Sequence, residues 1–128
     1  MQDHLQKELR LWDPLKYEES SEVMKMSEIL KKYQIDTEEN RKFQEEIREN
    51  LLKFGHRFPS PKGSSYYLGD DGTPWKERNR ETWITSRMTH VYSIGTFLGH
   101  PGSEELADAG LKGLRGELHD TENGGWYA

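Results

Sequence analysis

Between the charged run Lys76–Glu81 and the turn Gly99-His-Pro-Gly102 there is room for one helix, and everything else has to be arranged around it. Ile84, Met88, Val91 and Leu98 recur at i, i+4, i+7 and i+14, the spacing of a half-buried helix. Trp83, Arg87, His90 and Ile94 form an adjoining stripe, four, three and four residues apart. An arginine one turn from a tryptophan on the same side can clamp an oxygen-rich ligand against the ring. The same arginine can equally reach a carboxylate on a neighbouring element, and both readings stand at this point.

A helix with an apolar side needs partners, and the chain offers two. Asp36 and Thr37 are good caps, Glu38 and Glu39 follow where the helix dipole favours acids, and Gly55 is a natural stop. Phe43, Ile47, Leu51 and Phe54 are the expected buried stripe of that helix, at i, i+4, i+8 and i+11. Burial stabilises by about 1.5–3 kcal/mol per large side chain, so such a helix forms only against something. The second partner begins at Ser103 as its cap, with Ala107, Leu111, Leu114 and Leu118 as its apolar face. Gly110, Gly113 and Gly116 each cost about 1 kcal/mol against alanine inside a helix, which close packing on a neighbour would offset. Their GxxGxxG spacing is not a phosphate loop, because no strand precedes it.

Shorter features fill the gaps. Phe58-Pro-Ser-Pro-Lys-Gly-Ser-Ser is a loop, and Tyr66–Gly72 reads as a short strand, a tight turn and a returning strand. Asn123-Gly124 is a hairpin-type turn, and Trp126-Tyr127 reads as the start of a strand with no return, as in a chain cut short. Upstream, Leu5, Leu9, Leu11 and Trp12 precede a stop at Pro14. Val23, Met26, Leu30 and Tyr33 follow at helical spacing, with Ser21 as a candidate cap. Residues 1–36 are therefore expected to be a charged N-terminal extension, and residues 37–128 the body.

Composition narrows the class. Apolar and charged residues are each 32% of the 128, and mean hydropathy is -1.03, so the chain is short of core for a self-sufficient globule. Four Trp, six Tyr and four Phe nonetheless exceed what a disordered chain carries. A net charge of -5 and a pI near 5.6 speak against nucleic acid or an anionic membrane as partner. There is no Cys, hence no disulfide framework and no cysteine-ligated metal site. With no apolar leader and no spanning run, a cytoplasmic location is the default expectation.

Four stretches carry a resemblance. Trp83-Ile-Thr-Ser-Arg-Met-Thr-His-Val-Tyr-Ser, Gly99-His-Pro-Gly, Ala107-Asp-Ala-Gly-Leu and Gly124-Gly-Trp-Tyr-Ala, in that order, closely resemble the N-terminal part of the N-acylglucosamine 2-epimerase superfamily, in its mannose isomerase and sulfoquinovose isomerase branch. The turn in Tyr67-Leu-Gly-Asp-Asp-Gly72 fits that branch too, and the likeness covers roughly residues 38–128.

The resemblance implies an all-α fold, this chain supplying the N-terminal part, about three helices plus a short hairpin, of an (α/α)6 barrel that is incomplete at the C-terminus. It implies a metal-independent sugar isomerase or epimerase, with no cofactor, working through an enediolate. Histidines move the proton while an arginine, here Arg87, steadies the sugar oxygens.

The expected substrate-binding residues are Arg87, Trp83, Tyr67 and Trp126, with core packing as the competing role for the three aromatics. His4, His56, His90, His100 and His119 do not stand at the family's catalytic histidine positions. His119, Asp120 and Glu122 read as solvated turn charges, and no metal site is expected. The expected partner is a small-molecule sugar, with self-association through uncovered barrel faces as a further possibility. The competing reading is an inactive truncated fragment that only binds or associates.

Overall fold

A computed structural model describes residues 21–128, with side chains from Met24 onward. Its regular elements are four α-helices, one 3₁₀ turn and a two-stranded sheet. They run α1 (Ser21–Lys31), α2 (Glu38–Phe54), the 3₁₀ turn Gly55–Arg57, β1 (Tyr67–Leu68), β2 (Pro74–Trp75), α3 (Thr82–Phe97) and α4 (Ser103–Arg115). The predominance of helix agrees with the all-α expectation. Leu5, Leu9, Leu11, Trp12 and the stop at Pro14 lie outside the described residues, as do the side chains of Ser21 and Val23. Contacts group the described residues into two compact units, one ending at Glu46 and the other running Ile47–Ala128.

In the first unit the local signals at Thr37 act as expected. Its hydroxyl accepts the backbone N–H of Asn40 at 3.1 Å, a side-chain cap, and donates to the Lys31 carbonyl at 2.6 Å. One residue thus satisfies an orphan group at the start of α2 and another at the end of α1. The chain enters this cap through Asp36 in the left-handed region, φ 66°. Tyr33 and Phe43 meet edge to face with centroids 5.4 Å apart, which leaves Phe43 half-buried.

The second unit holds the core. Phe58 and Tyr92, both fully buried, stack with centroids 5.5 Å apart, and Leu52 and Ala107 complete the cluster. The Tyr92 hydroxyl donates to the Leu52 carbonyl at 2.6 Å, satisfying an acceptor in the last turn of α2 that the helix leaves unpaired. Burial pushes the Tyr92 phenol up to about 12.

The buried sides of the helices are not the apolar ones. On α3 the buried residues are Thr85, Thr89, Tyr92 and Gly95, whereas Val91 and Leu98 of the expected stripe are exposed and Ile84 and Met88 half-buried. The hydroxyl is what makes threonine acceptable there. Thr85 Oγ1 donates to the Glu81 carbonyl and accepts the Ser65 N–H, both at 2.9 Å, and Thr89 Oγ1 donates to the Thr85 carbonyl at 2.8 Å. On α2 the expected stripe is likewise turned outward: Ile47, Leu51 and Phe54 are exposed, and Leu52 is the buried residue. On α4, Ala107 and, beyond the helix, Leu118 are buried as expected, but Leu111 faces out.

The reason is close approach between α3 and α4. A Cβ on Gly110 would strike Thr89 Oγ1 and lie 3.0 Å from Thr89 Cβ, and one on Gly95 would lie 2.5 Å from Ser103 Oγ. At such spacing only small side chains fit, so small residues win the buried positions over large apolar ones. The expectation that the glycines of α4 mark tight packing is met at Gly110 and Gly113. Gly113 lies against the loop, where a Cβ would sit 2.7 Å from Ser64 Cα. Gly116 is the C-cap rather than an interior residue.

Two further expectations change. Ser103 is not the cap of α4 but its first residue, behind Gly102 at φ 79°, because its side chain is buried against Gly95. Trp126 does not start an unpartnered strand. It is itself the returning arm, bridging His119 across the turn, while the Tyr127 N–H reaches the Leu118 carbonyl at 2.9 Å. The first hairpin matches its expectation: β1 and β2 are antiparallel, Tyr67 opposite Trp75 and Leu68 opposite Pro74, around Gly72 at φ 77°.

The close approach has a measurable consequence. By propensity alone, glycine to alanine inside a helix stabilises by about 1 kcal/mol. Gly110→Ala and Gly113→Ala should instead destabilise by about 1–3 kcal/mol each through overpacking, as read by denaturant midpoints. Gly113→Ala should be the worse, since its obstacle is backbone.

Candidate functional site

With Thr85, Thr89, Tyr92 and Gly95 buried, the Trp83 and Arg87 side of α3 is left at the surface. The Arg87 guanidinium carbon stands 5.0 Å from the Trp83 ring centroid, and Trp83 is 49% exposed. Arg87 makes no ion pair among the described residues.

The hairpin brings Tyr67 to the same place. Its ring lies edge-on to Trp83 with centroids 6.2 Å apart, and the Arg78 guanidinium carbon stands 3.8 Å from the Tyr67 centroid. Glu81 joins the two aromatics: its carboxylate accepts both the Tyr67 hydroxyl and the Trp83 indole N–H. The Tyr67 bond lowers the Glu81 carboxyl below its ordinary range, with the Trp83 bond as the next cause. The same bond, followed by burial, raises the Tyr67 phenol. The proton thus stays on Tyr67 and the charge on Glu81.

Three of the four expected site residues, Arg87, Trp83 and Tyr67, are brought together. Trp126 is not. Its ring packs against His119 at 5.3 Å and its indole N–H donates to the Leu114 carbonyl at 2.7 Å, at the far end of α4. The tail reaches the start of α3 through another residue, since the Thr82 hydroxyl donates to the Tyr127 carbonyl. Two recesses adjoin the cluster. An apolar one of about 300 Å³ is lined by Tyr67, Leu68, Ile84, Met88, Val91 and neighbours. A polar one of about 420 Å³ is lined by Lys76, Arg78, Arg80, Glu117 and Tyr127 among others. Arg87 and Trp83 line neither and stand on open surface.

Glu81 and Arg78 are absent from the sequence expectation. They sit inside the charged run Lys76–Glu81, and Glu81 meets Tyr67 from fourteen positions away. No local pattern reports such a contact.

A second polar cluster also went unread. His100 is 5% exposed; its Nδ1 lies 2.7 Å from Glu49 Oε2, and its Nε2 lies 2.7 Å from Nε2 of His56. This carboxylate–His–His chain ties α2 to the Gly99–Gly102 turn ahead of α4. Asp120 accepts the N–H groups of Glu122 and Asn123 at 3.0 Å each and so closes its turn. Among the described residues no group of three or more metal-ligating side chains is assembled, and no helix is long and apolar enough to cross a membrane.

A profile of the N-acylglucosamine 2-epimerase (GlcNAc 2-epimerase) family matches residues 63–128. The chain belongs to this family. Its mannose isomerase-like branch is indicated by two relatives. A D-mannose isomerase of Thermobifida fusca is 39% identical over 77 residues, 60% of this chain and 19% of that protein. A D-mannose isomerase of Pseudomonas cannabina pv. alisalensis is 45% identical over 47 residues, 37% of this chain and 11% of that protein. The chain thus spans about a fifth or less of the length of these relatives. The family match takes in Tyr67, Glu81, Trp83, Arg87 and Trp126 together.

The histidine chain makes stability depend on pH. Burial, then the nearby His100, lower the His56 imidazole below its ordinary value of about 6.5. Below about pH 6.5 the unfolded chain binds the proton first, so this contribution is complete above that pH. It is lost as pH falls through the lowered folded value. Glu49, lowered chiefly by its His100 bond, adds a contribution present above the ordinary carboxylate range and lost further down. Melting temperature should therefore fall from pH 7 to 5, and His56→Gln should flatten the upper part of that fall.

Proposed function

We propose that this chain supplies the sugar-binding part of a carbohydrate isomerase or epimerase, acting on D-mannose or a close relative of it. The observation that carries the reading is Arg87 held over the Trp83 ring beside Tyr67, in the stretch that matches the family. A guanidinium offers paired donors to vicinal sugar oxygens, and an aromatic face covers the C–H side of a pyranose. In this reading the helices of residues 38–115 are the first of an (α/α)6 barrel, with the Arg87 side of α3 turned to the sugar.

The chemistry asked of Arg87 is electrostatic. Moving a proton from C2 of an aldose to C1, or from one face of C2 to the other, passes through an enediolate whose charge lies on O1 and O2. A fixed guanidinium beside those oxygens lowers that barrier with no metal or cofactor. The histidines that take and return the proton are assigned to residues outside these 128, and His56, His90, His100 and His119 are given no such role. Tyr67 and Trp83 wall the sugar in. Trp126 serves there only if its ring swings from the Leu114 carbonyl.

A second reading, association without catalysis, is favoured by one observation. Val91, Ile94, Phe97 and Leu98 leave a large apolar patch on α3, with Phe97 91% exposed. Sedimentation of the chain over a concentration series measures it, and a monomer throughout counts against it.

The primary reading is tested by titrating the chain with D-mannose and D-fructose while following Arg87 and Trp83 by NMR. Binding without interconversion is expected, and Arg87→Ala should weaken it about tenfold or more at unchanged melting temperature. Interconversion by these 128 residues alone overturns the assignment of proton transfer elsewhere. Binding untouched by Arg87→Ala removes Arg87 from the site.

A further inference from the structure

Glu81 occupies the residue immediately before α3, with extended backbone at φ -124° and ψ 146°. The side chains that cap the first N–H groups from this position are the short ones of Ser, Thr, Asp and Asn, and the longer glutamate forms no such bond. The carboxylate instead spans two elements, taking the hydroxyl of Tyr67 from β1 and the indole N–H of Trp83 from the first turn of α3.

We propose that Glu81 is a positioning residue that sets the Tyr67–Trp83 pair as a rigid wall beside Arg87 and thereby tunes which groups of a sugar this wall can meet. The inference rests on the reading of Arg87, Trp83 and Tyr67 as the sugar-binding cluster.

The chemistry follows from donor counting. Trp83 has one donor, its indole N–H, and Tyr67 one, its O–H. Both are committed to Glu81, so neither is offered to a ligand. What remains outward is the half-exposed Trp83 ring, the Tyr67 oxygen as an acceptor, and the guanidinium of Arg87. That set suits a neutral pyranose: C–H groups on the ring, a hydroxyl donating to the phenol oxygen, vicinal hydroxyl oxygens accepting from the arginine. A charge-assisted pair of bonds holds both rings more firmly than neutral bonds would, and rigid walls lower the ordering cost of binding. Arg78, over the other ring, keeps Tyr67 from turning away.

The test is a cycle of Glu81→Gln, Tyr67→Phe and the double variant, each titrated with D-mannose in the 128-residue chain. Trp83 and Arg87 side-chain resonances report binding, and a Tyr67–Trp83 ring contact by nuclear Overhauser effect reports placement. Glu81→Gln should keep the melting temperature, lose the ring contact and weaken mannose binding about tenfold. Tyr67→Phe should weaken it less, and the double variant should bind no worse than Glu81→Gln alone, because both act through one wall. Mannose binding and a ring contact that Glu81→Gln leaves unchanged overturn the role of Glu81 and spare the functional reading. No response of Trp83 or Arg87 to mannose in the unsubstituted chain overturns the functional reading and the positioning role with it.

Discussion

The approach of α3 to α4 is the constraint on which the second unit depends. It is made by residues that give way: Gly110 under Thr89, Gly95 against Ser103, Gly113 under the Ser64 backbone. Backbones this close leave no room for leucine or isoleucine, so the seam is lined by threonine, serine, alanine and glycine. Threonine survives there because each hydroxyl has a partner. Thr85 and Thr89 bond back to their own helix, and Thr85 also takes the Ser65 N–H, so the seam is buried without orphaned groups at those positions. The largest fully buried side chains, Phe58 and Tyr92, stack on each other where α2 ends.

That economy decides where the chemistry can sit. A helix that buries Thr85, Thr89, Tyr92 and Gly95 must turn Trp83 and Arg87 the other way, since successive members of the two sets lie two residues apart, about half a helical turn. The same constraint places the hairpin. The Ser65 N–H docked on Thr85 fixes the chain two residues before Tyr67, and Tyr67 is thereby delivered to the Trp83 ring. Packing and site are coupled through one threonine. The Tyr67–Trp83 contact is a consequence of the seam rather than an independent feature.

The sequence was legible where the signal is local. The Thr37 cap, the turn around Gly72, the helix between Glu81 and Leu98 and the small-residue packing of α4 each follow from a few neighbouring residues. It misled where burial was inferred from apolar periodicity. Ile84–Met88–Val91–Leu98 and Ile47–Leu51–Phe54 are regular, but regular apolar spacing states only that a face exists. It does not state which neighbour covers it, and in α3 the covered face was the one with threonine and glycine. In the site, Trp83 and Arg87 were legible because one helix turn relates them. The partners Glu81 and Arg78, and the pairing of His56 with His100 across 44 positions, belong to tertiary contacts that no local pattern encodes.

Two of the polar clusters of the second unit differ in burial. Glu49, His100 and His56 are spent on structure. His100 is nearly inaccessible, both its ring nitrogens are occupied, and its turn opens α4. Protonating His56 there lowers stability, and both ring nitrogens of the buried His100 are already engaged. Tyr67, Glu81, Trp83 and Arg87 are at the surface, joined by bonds that a fold of this kind does not need, with a ring face and a guanidinium left over. Polar groups that are costly to bury unpaired are retained in a core only when paired, as the histidines are. Under the proposed function, the polar and aromatic groups held on open surface beside the apolar edge of Ile84 and Met88 serve recognition instead. In the function proposed above, His56 and His100 serve the packing of this unit and Arg87 meets the sugar.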